Sequence, residues 1–118
     1  MKKNWDYLNC EKMVNDSTFV EGLRKIANRY NYDLKCHKKN PCRFELDPIG
    51  LYHPDIYVNH SIINGVIVFV GLSISFDGYG ACEEFIEDQI IEGLEMANKC
   101  KKEFYEFIDK HKNKFIIN

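Results

Sequence analysis

An α+β fold is what this sequence predicts, and three stretches predict it. "NDSTFVEGLRKIANRYNY" carries apolar residues at helical spacing, "DIYVNHSIINGVIVFVGLSISFDG" alternates every second residue, and the segment from about 81 to 113 keeps one helical phase. Helix, strands and helix in that order point to an antiparallel sheet with helices packed on one face. The expected architecture is an N-terminal helix, a four-stranded antiparallel sheet of two hairpins, and a long C-terminal helix, in one domain spanning residues 1–118. A chain of 118 residues is too short for two sizeable cores.

The first dozen residues, anchored by Trp5 and Leu8, read as a short helix or an arm. In the next helix Phe19, Val20, Leu23, Ile26, Ala27 and Tyr30 form the apolar stripe, with Arg24, Lys25 and Arg29 on the other face. Thr18 and Glu21 have the spacing of a capping box. "DLKCHKKNPCRFELD" predicts a hairpin with a polar tip at 38–41, and Pro48, Gly50 and Pro54 punctuate the loop after it.

In the following unit Val66, Val68, Val70, Leu72, Ile74 and Phe76 alternate as a half-buried strand, preceded by the row Ile56, Val58, His60 and Ile62. A two-residue turn at Asn64 and Gly65 would set that row beside Ile67, Phe69, Gly71 and Ser73. A three-residue turn over 63–65, with Gly65 left-handed as a bulge, gathers both apolar rows on one face. The second is preferred, because burial fixes register. On the last helix Phe85, Ile86, Ile90, Gly93, Ala97, Cys100, Phe104, Phe107 and Ile108 share a face with Cys82, Met96 and His111. The phase predicts one long helix, with a break near Asn98 as the alternative.

Charge is the feature that bears on function. The net charge is only −2, but residues 1–44 hold ten basic and five acidic side chains. Residues 45–98 hold ten acidic ones and no Lys or Arg, and residues 99–118 hold six basic and three acidic. The stretch "CEEFIEDQIIEGLE" at 82–95 concentrates the acid. Carboxylates in a first helical turn stabilise the positive end of the helix dipole, which accounts for Glu83, Glu84 and Glu87. It does not account for Asp88, Glu92 and Glu95, which stand mid-helix with no basic i+4 neighbour before the Glu95/Lys99 pair. Ile91 and Leu94 lie at the middle and edge of the acid face, where a solvated helix seldom needs large aliphatics. Apolar anchors ringed by charge suit a protein-binding surface. Glu84, Glu87, Asp88, Ile91, Glu92, Leu94 and Glu95 are therefore the expected partner-binding residues, and their carboxylates would repel nucleic acid.

Other chemistry finds little support. Cys36, His37 and Cys42 in "CHKKNPC", with His53 or His60, could hold zinc, but the spacing between the cysteines exceeds the usual two to four residues. His60 sits in an apolar row and reads as a hydrogen-bonded core imidazole. Cys82 stands at a helix N-terminus, yet Glu83 and Glu84 disfavour its thiolate. Asp55 precedes a hairpin, as in metal nucleases, but the next strand offers neither the acid nor the lysine such an enzyme needs. Asp77, Glu84 and Asp88 lack the oxygen ladder of a calcium loop. No phosphate-binding loop, nucleophile elbow or zinc-protease motif is present, so no enzyme, cofactor or metal is expected.

No apolar run reaches the ~18–20 residues of a membrane span, and "MKKNWDYLNC" has no signal-peptide h-region. The five cysteines at irregular spacing read as reduced thiols, so a cytoplasmic location is expected. Ile, Lys and Asn supply 37 residues against three Ala, which fits a low-GC bacterium or its phage.

The element order resembles that of the double-stranded-RNA-binding domain, with "FDGYGACEEFIEDQIIEGL" where that family has its glycine turn and second helix. The family reads phosphates with lysines at the start of that helix, where this chain has Glu83, Glu84, Glu87 and Asp88. Small size and an acidic face are also similar to phage anti-CRISPR proteins, immunity proteins and antitoxins. The expected function is a non-enzymatic inhibitor whose acidic helix docks on a basic, nucleic-acid-binding surface of another protein. The alternative is a self-associating structural or chaperone-like domain, with Arg24, Lys25 and Arg29 as the complementary charge. A small metal-binding protein comes third.

Overall fold

The computed structural model describes residues 7–50, 53–75 and 87–117, and only the backbone of Glu87 and Asp88. The element order is β1 (Leu8–Asn9), α1 (Cys10–Val14), α2 (Ser17–Arg29), β2 (Tyr32–His37), β3 (Arg43–Pro48), β4 (Asp55–Ile63), β5 (Val66–Ser75) and α3 (Glu87–His111), closed by a 3-10 turn at Lys112–Lys114. The class is α+β, but the four expected strands do not form one sheet. β1, β5 and β4 make a three-stranded antiparallel sheet in that order, and β2 and β3 pair separately. Nor do the helices share one face of one sheet: α2 lies on β2 and against α3, while α3 also reaches β5.

The start of the chain divides into a strand and a helix because Asn9 caps it, its side chain accepting from the Lys12 N–H at 3.1 Å. Leu8 pairs with Phe69 and also bridges to Ile116, so β1 is held between β5 and the C-terminal segment. In α2 the cap is Asp16, which accepts from the Phe19 N–H at 3.0 Å. The cap therefore falls two residues before the expected Thr18. The predicted stripe is the buried one: Phe19, Val20, Leu23, Ile26 and Ala27 all lie in the core.

The β4–β5 hairpin corrects the expected turn. Asn64 (φ 51°) and Gly65 (φ 80°) are both left-handed, and Ile63 faces Val66 across a two-residue turn. Asn tolerates that region because its short polar side chain bonds locally, and Gly because it lacks Cβ. Ile62 then faces Ile67, and His60 faces Phe69. Beyond them the register shifts, so that Asn59 faces Gly71, Val58 faces Leu72 and Ile56 faces Ile74. Val70 is the inserted residue, and it is 46% exposed. The bulge brings the apolar ends of both rows together, which burial demands, but it lies mid-strand rather than in the turn.

Three contacts fasten these parts together. His60 Nε2 accepts from the Phe44 N–H at 3.3 Å, tying β4 to β3 between the two sheets. The Tyr32 hydroxyl donates to the Pro54 carbonyl at 2.6 Å, deep in the core. The Tyr105 hydroxyl accepts from the Leu72 N–H at 2.8 Å and lies 3.3 Å from the Leu72 carbonyl, which docks α3 on β5 just past the bulge.

Candidate functional site: the exposed side of the long helix

The helix α3 runs without interruption from Glu87 to His111, so the break considered near Asn98 does not occur. Its inner face buries Gly93, Ala97, Cys100, Phe104 and Ile108 at the predicted spacing. Cys82, Phe85 and Ile86 of that stripe lie outside the described residues, as do Glu83 and Glu84.

Of the expected partner-binding residues, Glu87 and Asp88 fall within α3, and Glu92 and Glu95 are exposed on its outer side. Ile91 is 47% exposed beside them. Leu94 is half-buried and stands nearer the core than the sequence suggested; its carbonyl accepts from the Asn98 side chain at 3.1 Å. One aliphatic anchor, not two, is therefore open to solvent on this face. Glu92 also borders a cavity of about 290 Å³ with His53, Asn31 and Met96.

The acid does not end in plain solvent. Glu92, Glu95, Lys99, Lys102, Glu106 and Lys110 recur at intervals of three and four, which places them along one continuous side of α3. The basic part of that side forms one wall of a groove of about 660 Å³, whose other wall is α2. Five cations line it, Lys25, Arg29, Lys99, Lys102 and Lys110, against two carboxylates, Glu103 and Glu106. Glu103 is already paired with Arg29 across the groove. Among the described residues Lys25, Lys99, Lys102 and Lys110 have no ion pair.

The groove exists because two helices meet closely at one end. A Cβ on Gly22 would lie 2.2 Å from the Phe107 ring, so glycine lets α2 and that ring pack in this position and any side chain there would force a shift. Phe19 stacks on Phe107 at 5.5 Å and tilts against Phe115 at 4.8 Å, locking the crossing. Sequence reading found the cations of α2 but missed the groove, and the signal was available. A glycine inside an otherwise amphipathic helix marks a close approach.

The other candidates gain nothing. Among the described residues no three His, Cys, Asp or Glu side chains gather as a metal would require. Burial pushes the Cys10 thiol up to about 12, with Cys42 and Cys36 adding to the effect, and burial alone does the same to Cys100. Such thiols are poor nucleophiles. His60 is half-buried and spent on its bond to Phe44. No helix is long and apolar enough to cross a membrane among the described residues. Comparison with family models, with curated proteins and with solved structures finds no match to this chain.

Proposed function

We propose that this chain is a non-enzymatic binding protein that inhibits its partner by laying the acidic side of α3 on a basic surface that normally holds nucleic acid. The observation that carries the reading is Ile91, nearly half exposed and set beside Glu92 and Glu95 on a stretch with no Lys or Arg from residue 45 to 98. A desolvated aliphatic gives such a contact area, while the ring of carboxylates steers and orients it. Helical spacing offers negative charge at regular intervals, as a phosphate backbone does. Anti-defence proteins of phages and immunity proteins of nuclease toxins are the functional types that fit.

The test is affinity capture from bacterial lysate with tagged chain, compared with an Ile91→Asp/Glu92→Lys/Glu95→Lys variant. The wild type should retain a nucleic-acid enzyme or toxin, suppress its binding of DNA or RNA, and release it as salt rises. A complex that forms equally well with the variant overturns the proposal.

A further inference from the structure

The groove between α2 and α3 has no role in that reading, and its chemistry asks for an anion. An isolated phosphate or small metabolite would find no closed pocket there, because the groove is an open trough between two helices. What fits a trough with cationic walls is a rod with regularly spaced carboxylates. The chain itself carries one, in the first half of α3.

We infer that the groove receives the acidic half of α3 from a second copy of this chain, so that two copies pair antiparallel about a two-fold axis level with Ala97. Charge complementarity is the warrant. An isologous interface needs a patch complementary to itself under a two-fold rotation. One helix side that is acidic up to Glu95 and rich in free lysine from Lys99 onward meets that condition when two copies run in opposite directions. The spacing agrees as well. Glu92 and Glu95 are three residues apart, as are Lys99 and Lys102, so antiparallel helices set Glu95 against Lys99 and Glu92 against Lys102. The rotation repeats both pairs. Lys25, on the α2 wall, extends the cationic surface that faces the incoming helix. Ile91, on the flank beside Glu95, packs on the aliphatic stems of the facing lysines. The carboxylate of Glu106 is the one unfavourable charge, since Arg29 neutralises Glu103 within the chain.

This pairing covers the surface assigned above to a heterologous partner, so the dimer and the inhibitory complex exclude each other. The inference does not rest on that assignment. A strictly monomeric chain leaves the inhibitor reading standing, and a dimer that captures no basic partner leaves the pairing standing.

Sedimentation equilibrium of the full chain tests it, at about 20 mM and about 500 mM salt. The expected result is a dimer at low salt that dissociates at high salt. Two variants then reverse one side each: Lys99→Glu/Lys102→Glu in the groove, and Glu92→Lys/Glu95→Lys on the acidic side. Each alone should be monomeric with an unchanged circular-dichroism spectrum, and an equimolar mixture should recover the dimer, because both contacts become attractive again. Four results overturn the inference. They are a monomeric wild type at low salt, open-ended growth beyond two chains, a dimer indifferent to both reversals, and folded variants that fail to pair when mixed.

Discussion

The two halves of α3 belong to one helix and live in different surroundings. From Lys99 onward the helix buries Cys100, Phe104 and Ile108, stacks Phe107 on Phe19, and bonds Tyr105 to the backbone of β5. Before Lys99 its fully buried positions among the described side chains are Gly93 and Ala97, which offer almost no side chain to bury. The second half buries large side chains fully, whereas in the first half the fully buried positions among the described side chains are small and Ile90, Leu94 and Met96 are only half-buried. That difference shows how a helix can present charge outward: hydrophobic burial at one end fixes the axis, and the other end can then carry Ile91, Glu92 and Glu95 exposed to solvent.

Breaking the anchored half should have the largest effect. Phe19→Ala removes the ring around which Phe107, His111 and Phe115 gather, and should cost about 3–5 kcal/mol in urea unfolding. An intermediate effect comes from the seam between the sheets, away from both halves of α3. Burial holds His60 below its ordinary value, Arg43 adds to this, and a bond to the Val58 backbone opposes it. The neutral ring is thus the folded form. Its contribution is complete above about pH 6.5 and is lost as pH falls below that, when the unfolded chain takes up the proton first. Thermal melts between about pH 7.5 and 5.5 should show this loss, and His60→Gln should make it shallower. The smallest effect belongs to the presenting half: Ile91→Ala should change stability by no more than about 0.5 kcal/mol, measured by the same urea titration. A large loss there would mean that Ile91 is part of the core, and would end the contrast between the halves.

Sequence reading recovered the helices because each carries a complete apolar stripe at one period, as Phe19 to Ala27 and Gly93 to Ile108 do. It placed Glu92 and Glu95 on the exposed side of α3 for the same reason, since position on a helix follows from number alone. It placed Leu94 too far out, because a helix wheel does not reveal what lies beyond the edge of the stripe. The groove was hidden for a related reason. Lys25 and Lys102 are 77 positions apart, and although Gly22 marks a close approach, nothing local says that Phe107 is what approaches it.

The amino-acid sequence by itself determined the two long helices and the strands of the two hairpins, which side of each long helix is apolar, and where acid gives way to base along α3. Those properties depend on neighbours a few residues away, whose spacing the backbone geometry fixes. The tertiary structure decided that five strands divide into two sheets, that the hairpin's extra residue is Val70, and that α2 and α3 enclose a cationic groove. Each of those outcomes is set by competition for burial among distant segments, and that competition is resolved only when the core closes.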